Sequence, residues 1–360
     1  MRAAVLGEVG DDLLEVRDDV ETVGPGPGEV LVGMAAAGVC HSDLSAITGV
    51  LPQPTPAVLG HEGAGTVLAV GDGVRNVAEG DHVIIAWAPP CGSCRFCLGG
   101  QPNLCSKIMF GVGLMPRFKY GSTMAFGFGG TGVFAEQVVL PSEAVVPIPR
   151  DVPFDVAALI GCAVTTGVGA AVNCAKVRPG SSVVVFGCGG VGISTIQGAR
   201  IAGAAEIVAV DTVPRKLEDA KRFGATHAVL PGDLMGASDE VTGGDGFDYA
   251  FEVIGLSQTI RAAYDATRRG GTTVIVGAGR SDDMVELSAF ELFYMEKKIL
   301  GTFYGSADVR SDFGRMISLW RAGRLDLEGL ISRRLDISQV NEAFDAMRNG
   351  EVIRQVIQFT

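Results

Sequence analysis

Residues 181–192 read SSVVVFGCGGVG, a β-branched run followed by a turn rich in glycine. The run is typical of a buried strand, and residues 193–202 have apolar side chains at helical spacing. In such a turn Gly187 permits a tight bend, Gly189 lets the backbone approach a bound group, and Gly192 lets the helix pack against the strand. The stretch therefore predicts a strand, a turn and a helix whose N-terminus faces a phosphate group.

A second strand-like run, residues 206–210, leads into Asp211. Asp211 follows Gly192 by about twenty residues, the usual spacing of a ribose-binding carboxylate in a dinucleotide site. A carboxylate there accepts hydrogen bonds from the adenosine ribose and repels a 2′-phosphate, so it favours NAD over NADP. The alternative is that Asp211 only caps the helix predicted over residues 214–223. With the glycine turn before it, the spacing predicts a site for NAD.

Strand-like and helical segments alternate through the rest of this region. Four more β-rich runs follow, at residues 227–230, 249–254, 272–276 and 299–303. Six strands joined by helical crossovers predict an α/β fold with a doubly wound parallel sheet, which we assign to residues 164–302. Residues 1–163 instead have short strand-like runs and many Gly and Pro residues, as in a twisted β-barrel. We assign the amphipathic helices predicted within residues 303–360 to this first domain.

Four cysteines within residues 91–105 have the spacing of a metal-binding lobe. The pattern CxxCxxCx₇C brings four thiolates together through tight turns, with Gly92 and the Gly99–Gly100 pair at the bends. Four thiolates fill the coordination shell of zinc, so we predict a structural zinc held by Cys91, Cys94, Cys97 and Cys105. Two disulfides are the alternative, but they are typical of small secreted chains, and the sequence shows no signal peptide at its first residues.

A second set of soft ligands is scattered along the chain at Cys40, His61 and Cys162. Two thiolates and one imidazole leave one coordination position of zinc open for a reacting molecule, as in catalytic zinc sites. Taken singly, His61 is more often a hydrogen-bonded core histidine, and Cys162 a small buried apolar residue. Taken together, the two sets predict two zinc ions per chain, one structural and one catalytic.

Composition limits the classes of protein that remain. The chain has 360 residues, 47% of them hydrophobic and 19% charged, which is enough for two buried cores. Its formal net charge of −12 disfavours nucleic acids and anionic lipid surfaces as partners. No apolar run reaches ~18 uninterrupted residues, the length that would indicate a membrane span. We therefore expect a cytoplasmic protein whose partner is a small molecule.

These motifs resemble those of the zinc-dependent medium-chain dehydrogenases, in particular the branch with liver-type alcohol dehydrogenases and glutathione-dependent formaldehyde dehydrogenases. The resemblance covers essentially the whole chain. Besides the cysteine lobe and the glycine turn, it rests on four stretches, GVCHSD (38–43), GHEGAG (60–65), LIGC (159–162) and FEVIG (251–255). It implies a GroES-like β-barrel catalytic domain, a Rossmann domain and assembly into a homodimer or homotetramer.

Carried over residue by residue, the resemblance implies roles around the catalytic zinc. Cys40, His61 and Cys162 match its ligands. Glu62 matches a carboxylate behind the metal, and Asp43 matches the acceptor that orients the histidine, a role that metal-bound imidazoles generally require. The catalytic set is then complete except for the group that contacts the substrate.

That group is implied at Ser42, which matches the hydroxyl that hydrogen-bonds a substrate alcohol. Relatives often have a histidine five residues after the first zinc cysteine to pass the proton to solvent, and this chain has Ser45 there. The expected apolar wall of the substrate pocket consists of Leu51, Trp87 and Phe128, for which ordinary core packing is the alternative. The expected cofactor contacts are His41, Gly187, Gly189, Gly190, Val191, Gly192, Asp211, Lys216, Val276 and Arg354.

The resemblance implies an NAD-dependent oxidoreductase that interconverts a hydrophobic primary alcohol, aromatic or medium-chain, and its aldehyde. A thiol-dependent, mycothiol-type formaldehyde dehydrogenase is an alternative that Arg117 and Lys119 keep open. The glutathione-dependent branch has acidic residues where this chain has Gly49 and Leu51, so a site for S-hydroxymethylglutathione is disfavoured. A zinc-fold enal or iminium reductase is a second alternative, but it commonly lacks a hydroxyl at the place of Ser42. A non-catalytic protein of the same fold would not need the complete ligand set.

Overall fold

A computed structural model of the chain describes residues 1–109 and 115–359. Contacts divide it into two compact units. Unit 1 comprises Met1–Cys162, Asp308–Gly323 and Leu327–Thr360, and unit 2 comprises Ala163–Ala307 and Arg324–Asp326. The sequence assigned the change of domain to residues 302–303, whereas the structure keeps residues up to Ala307 in unit 2. The cause is a close approach in which the backbone of Gly305 packs against Gly169, leaving no room for a Cβ atom.

The strands are short in unit 1 apart from two long ones, and they are regular in unit 2. In chain order the described residues form β1 (Ala3–Leu6), β2 (Glu15–Arg17), β3 (Glu21–Thr22), β4 (Glu29–Val39), β5 (Ala57–Val58), β6 (Glu62–Val70), β7 (His82–Ile85), β8 (Phe118–Tyr120), β9 (Thr123–Gly127), β10 (Gln137–Pro141), β11 (Val145–Ile148), β12 (Ser182–Phe186), β13 (Glu206–Val210), β14 (His227–Val229), β15 (Phe247–Glu252), β16 (Thr267–Ile275), β17 (Lys298–Gly301), β18 (Ile331–Leu335) and β19 (Arg354–Gln358).

The helices of unit 2 alternate with its strands, whereas those of unit 1 lie between groups of strands. They are α1 (His41–Ile47), α2 (Arg95–Leu98), α3 (Ser106–Met109), α4 (Phe154–Leu159), α5 (Thr165–Gly169), α6 (Gly190–Ala202), α7 (Pro214–Arg222), α8 (Leu234–Thr242), α9 (Ser257–Ala266), α10 (Ala289–Met295), α11 (Val309–Arg321) and α12 (Val340–Arg348). Two π-helical segments, Ile160–Val164 and Ala170–Cys174, join α4 and α5 into one helical run that ends at Cys174.

Unit 1 is built from two sheets, and the long strand β4 lies in the middle of one of them. One sheet has the order β11-β7-β6-β4-β19-β18, with β10 also paired to β4, and the other has the order β2-β1-β5-β9-β8-β3. Alternate side chains of β4 are buried along most of its length, as expected for a strand with one face on a core. β19 pairs with the last residues of β4, so the C-terminal part of the chain belongs to the barrel.

Unit 2 is a parallel six-stranded sheet in the order β14-β13-β12-β15-β16-β17. The chain order reverses between β12 and β15, and this is the topological switch point at which α/β sheets bind ligands. β12 and β13 pair in register over their full length, Ser182 with Glu206 through Phe186 with Val210. The predicted doubly wound parallel sheet is therefore confirmed.

The helical run Phe154–Cys174 is apolar and lies mostly inside the fold. By length and composition it is the one helix among the described residues that could cross a membrane, and 83% of its most apolar window is buried. The sequence predicted no helix here. Glycines interrupt its apolar pattern, and they permit close packing: Gly167 of the run lies against α6, and Gly198 of α6 lies against the run.

Candidate functional site

The four clustered cysteines surround one point in unit 1. Their ligand atoms all lie within 4.8 Å of one another, and none of the eight cysteines forms a disulfide. The Cys94 Sγ atom lies 3.5 Å from that of Cys97 and 3.9 Å from that of Cys105. The bends that produce this geometry are glycines with positive φ, Gly92 at 69° and Gly100 at 77°.

Backbone amides prepare these sulfurs to bind a cation. Hydrogen bonding from the backbone at Cys97 lowers the pKa of Cys94 to about 6, and the backbone at Ser93 lowers the pKa of Cys91 to about 7. Burial raises the pKa of Cys97 to about 12, so its thiol keeps its proton without a counter-charge. The four sulfur atoms converge, and the lowered pKa values of Cys91 and Cys94 favour the thiolate form of these two. Such a set suits a tetrahedral zinc ion.

The second ligand set is assembled from three distant segments of unit 1. Cys40 lies where β4 ends and α1 begins, His61 directly precedes β6, and Cys162 lies in the π-helical segment after α4. With Glu62, their ligand atoms all lie within 4.8 Å of one another, and all four residues are buried. The structure thus brings together three predicted ligands, of which Cys162 lies more than a hundred positions from the other two in the sequence.

Asp43 fixes the orientation of two of these ligands. Its Oδ1 atom lies 3.1 Å from His61 Nδ1 and accepts from the Gly60 amide, and its Oδ2 atom accepts from the Cys40 amide. A histidine that donates through Nδ1 presents Nε2 as a ligand. His61 Nε2 is buried and has no hydrogen-bond partner in the described part of the chain. A buried nitrogen of this kind fits a metal ligand.

Glu62 lies beside the predicted ligands, and its carboxylate forms an ion pair with Arg354. The Arg354 guanidinium donates to the Glu62 carboxylate, and both side chains are almost fully buried. The two side chains meet over Gly38 of β4, where a Cβ atom would lie 3.2 Å from Arg354 Nη2 and clash with the Glu62 carboxylate. Sequence reasoning missed this ion pair, because its partners belong to strands on either side of β4.

Burial and neighbouring charges set the protonation of this cluster. Burial raises the pKa of Glu62 to about 8, although Arg354 opposes the shift. A hydrogen bond with Cys162 lowers the pKa of Cys40, and the same interaction raises that of Cys162. Burial disfavours protonation of His61, but Asp43 and Cys40 outweigh it and raise the pKa of the imidazole. Two sulfurs and one imidazole form a donor set that suits zinc with an open coordination position, and the nearby carboxylate of Glu62 is paired with Arg354.

Two aromatic rings stand against the imidazole of His61. The ring centroid of Phe128 lies 5.3 Å away and that of Trp87 lies 6.2 Å away, and both meet the imidazole edge-on. Ser42 Oγ lies 3.8 Å from the Cys40 sulfur. Leu51 packs, partly buried, against the barrel core. Of the four residues predicted for the substrate pocket, three thus lie next to predicted zinc ligands, and their role in the pocket stays a prediction.

In unit 2 the glycine turn has the geometry that its sequence predicts. Gly187 has φ 100°, which other residues rarely adopt, and Gly189 is the N-cap of α6. A Cβ atom on Gly192 would clash with the Gly187 carbonyl, whereas one on Gly189 would meet nothing within 4 Å. The open space beside Gly189 and the first turn of α6, which starts with Gly190 and Val191, is where a phosphate group can approach the amides.

Asp211 follows β13 at the same edge of the sheet. Its Oδ2 atom accepts from the Cys188 amide at 2.8 Å and its Oδ1 atom from the Val213 amide at 2.9 Å. A carboxylate can accept about four hydrogen bonds, so both oxygens retain capacity for a ribose diol. Asp211 does not cap a helix with its side chain, because α7 begins at Pro214 with Val213 as its N-cap.

The other predicted cofactor residues lie in both units. In unit 2, Lys216 lies in the first turn of α7, and Val276 follows β16, where its amide donates to the Glu252 carbonyl. In unit 1, His41 is the exposed first residue of α1. The Arg354 side chain is turned toward Glu62, a contact that the sequence did not predict. The cofactor roles of these four residues stay predictions.

One buried acid of unit 2 was not recognised from the sequence. Glu252 is fully buried at the end of β15, and its Oε1 atom accepts from the amides of Ile254 and Gly255 and from the Thr259 hydroxyl. It thereby fixes the turn whose Ile254 packs against Gly187. The sequence marked Glu252 only as part of the stretch FEVIG (251–255), on which the resemblance rests, and assigned it no role.

Comparison with known proteins identifies the family of the chain. Residues 26–150 match the family model for the alcohol dehydrogenase GroES-like domain, and residues 190–321 match that for zinc-binding dehydrogenases. An S-(hydroxymethyl)glutathione dehydrogenase of Synechocystis is 40% identical, over 99% of each chain. A putative alcohol dehydrogenase D of Mycobacterium tuberculosis is also 40% identical, over 99% of this chain and 98% of the relative.

A solved structure shows the same architecture. The crystal structure of benzyl alcohol dehydrogenase from Acinetobacter calcoaceticus superimposes with a TM-score of 0.92 at 31% identity, covering 100% of this chain and 99% of that one. Full-length relatives at 40% identity, together with the two family models, leave no doubt about descent. The chain is an oxidoreductase and belongs to the zinc-dependent medium-chain alcohol dehydrogenase family.

Proposed function

We propose that this chain catalyses the NAD-dependent interconversion of a hydrophobic primary alcohol, aromatic or medium-chain, and its aldehyde. The observation that carries the proposal is the pair of aromatic rings, Trp87 and Phe128, standing edge-on against the imidazole of His61. An apolar wall beside the predicted zinc ligands favours an apolar substituent, each buried CH₂ adding roughly 0.8 kcal/mol to binding. A ring can also pack edge-on against these aromatic side chains.

The residues of the chain divide the chemical work. When bound, zinc supplies a Lewis acid that lowers the pKa of an alcohol hydroxyl, and nicotinamide supplies the hydride acceptor. Cys40, His61 and Cys162 would hold the metal, and Asp43 keeps the His61 Nε2 atom in the state that binds it. Ser42 Oγ would accept a hydrogen bond from the substrate hydroxyl, and the bulk of Trp87 would exclude water from the reacting carbon.

NAD rather than NADP is proposed because Asp211 is partly exposed at the carboxyl end of β13. Its negative charge would repel a 2′-phosphate, and its free lone pairs match a ribose diol. Replacing Asp211 by Ser should raise the use of NADP relative to NAD, with Asp219→Ser in α7 as the matched control. A wild-type enzyme that already prefers NADP would contradict this assignment.

A thiol-dependent formaldehyde dehydrogenase is the second candidate, because the Synechocystis relative is named an S-(hydroxymethyl)glutathione dehydrogenase. Two cations that could have bound the acidic groups of a thiol cofactor are engaged elsewhere. Arg117 is buried and pairs with Glu29 at 2.6 Å, and Lys119 pairs with Glu21 at 2.8 Å. This engagement favours the apolar alcohol over the thiol adduct.

One panel of assays separates the candidates. Benzyl alcohol, hexanol and a secondary alcohol are offered with NAD, and formaldehyde is offered with and without glutathione or mycothiol, while reduced cofactor is recorded by absorbance. We expect turnover of the two primary alcohols and poor turnover of the secondary one. Turnover of formaldehyde that requires the thiol, without activity on the primary alcohols, would reject the proposal.

The role of the aromatic wall is tested by Trp87→Ala. Opening space beside the reacting carbon should improve secondary over primary alcohols, by roughly tenfold in the ratio of kcat/KM, as expected for a change of one or two carbon groups. Trp320→Ala is the matched control, because Trp320 is the other tryptophan of the chain and donates to Glu328 on an exposed surface. Equal effects of the two substitutions would remove Trp87 from the substrate pocket.

A further inference from the structure

A polar cavity lies in unit 2, at the edge of the sheet opposite the glycine turn. It has a volume of about 350 Å³ and is lined by residues just before β12, by residues in the first part of β15 and at the start of β17, and by residues of β16 that include Thr272, the partner of Lys298 in the sheet. The glycine turn follows the other end of β12. A strand of that length spans roughly 16 Å, so the cavity is separate from the predicted dinucleotide site.

The charges that line this cavity are mostly positive. Arg178, Arg268 and Lys298 line it together with one acidic residue, Asp248. The chain as a whole carries a formal charge of −12, so a local excess of cations goes against its general composition. Fields of this kind concentrate anions in a concave site.

The one carboxylate is already neutralised within the protein. Asp248 Oδ1 accepts from Arg268 Nε at 2.7 Å, and Asp248 Oδ2 accepts from the amide of Ser182 at 2.8 Å and from its hydroxyl at 3.1 Å. These contacts hold the pKa of Asp248 below its usual range, although burial opposes the shift. Asp248 and Arg268 therefore form a closed pair that leaves the other two cations uncompensated.

The side chains of Arg178 and Lys298 have no ion-pair or hydrogen-bond partner among residues 1–109 and 115–359, and both residues are exposed. Two neutral hydroxyl side chains, Tyr249 and Thr272, line the same cavity. Two unpaired cations with neighbouring hydroxyl groups are the donors that a phosphate or pyrophosphate group requires.

We propose that this cavity is a second ligand site, which binds a small phosphorylated metabolite through Arg178 and Lys298. The size of the cavity suits a molecule with one or two phosphate groups rather than a polymer. The site does not depend on the proposed alcohol dehydrogenase reaction, because it shares no residue with the zinc ligands or the glycine turn.

The test is a calorimetric titration of the zinc-loaded full-length protein with pyrophosphate, in the presence of saturating NAD. NAD occupies the glycine turn, so any remaining pyrophosphate binding reports other sites. We expect binding to persist in the wild type and to weaken roughly tenfold or more for each cation removed in Arg178→Ala and Lys298→Ala. Binding should also fall steeply as salt is added.

Two comparisons decide the outcome. The control Lys221→Ala/Arg333→Ala removes two exposed cations outside the cavity and should leave pyrophosphate affinity unchanged. Thermal unfolding of each variant, recorded without pyrophosphate, shows that the fold is kept. Wild-type protein that binds no pyrophosphate once NAD is present would overturn the proposal. So would an Arg178→Ala/Lys298→Ala variant that binds it as tightly as the control.

Discussion

Unit 1 contains two clusters of cysteine ligands that are built in opposite ways. The quartet lies within residues 91–105, is mostly half-buried, and consists of sulfur alone. The trio of Cys40, His61 and Cys162 comes from three distant segments, is fully buried, and is accompanied by Glu62, a carboxylate held by Arg354. One cluster is a local turn structure, and the other is a product of the finished barrel.

The difference shows that the spacing of residues along the chain can encode a metal site only when all of its ligands lie on one short segment. A quartet on one short segment needs a metal to stabilise its loop, since it has little apolar core of its own. The trio is positioned by β4, β6 and the helix that begins at Phe154, and these elements are stabilised by the barrel core. Losing a ligand should therefore damage folding in the first cluster and chemistry in the second.

The largest effect is expected from Cys97→Ser in the quartet. Loss of the fourth thiolate removes a metal that contributes to folding, so the free energy of unfolding should fall by roughly 5 kcal/mol or more and little folded protein should accumulate. Urea unfolding and zinc content per chain measure this. The control is Cys174→Ser, outside both clusters. A variant with one zinc per chain and wild-type stability would show that the lobe does not depend on its metal.

Cys40→Ser in the trio should impair catalysis and leave stability almost unchanged. We expect kcat/KM for the alcohol to fall about a thousandfold or more, because the Lewis acid is lost, while the free energy of unfolding changes by about 1 kcal/mol. Steady-state kinetics and urea unfolding on the same preparation test both halves of this expectation. If Cys40→Ser proved as destabilising as Cys97→Ser, the distinction between the clusters would fail.

Arg354→Ala examines the ion pair behind the trio. Removing one partner of a buried pair leaves a buried carboxylate without its cation, at a cost of about 3 kcal/mol of unfolding free energy. Arg334→Ala, on the neighbouring strand β18, breaks a half-exposed pair with Asp155 and should cost less than about 1 kcal/mol. The double variant Arg354→Met/Glu62→Leu should recover part of the loss. An Arg354→Ala variant as stable as Arg334→Ala would argue against a structural ion pair.

The smallest effect is expected from Asp43→Asn. The amide can no longer accept at both positions, so the preferred state of His61 weakens and zinc affinity at the trio should fall about 10- to 100-fold. Competition with a chelator measures this affinity, while the quartet retains its metal. The control is Asp81→Asn, an exposed aspartate that accepts from the Ala78 amide. Equal zinc affinity in the two variants would remove the orienting role from Asp43.

Sequence reasoning reached the two clusters by different routes. The quartet and the glycine turn follow from local patterns, because the spacing of Cys91 to Cys105 and of Gly187 to Gly192 fixes backbone turns. Nothing local joins Cys40 to Cys162, so residue type alone suggested that set, and the resemblance then gave the three residues their roles as ligands. The structure then supplies their common position, with both residues within reach of His61.

What the sequence could not supply depends on pairing across strands. Arg354 was assigned to the cofactor, since nothing in the sequence around an arginine marks which residue it will contact. Its contact with Glu62 exists because β6 and β19 both pair with the same end of β4, and because Gly38 leaves room between them. The helix that begins at Phe154 escaped prediction because its glycines, which pack it against α6, resemble turn residues.

The position of β19 also has a consequence for protein synthesis. Arg354 meets a partner that lies 292 residues earlier in the chain. Unit 2 is almost continuous in sequence, so it can fold while residues after Ala307 are still being added by the ribosome. Until β19 emerges, the end of β4 from Ala36 to Val39 lacks its neighbour on one side. A nascent barrel with an open edge directly before Cys40 is a target for chaperones and a point at which aggregation can begin.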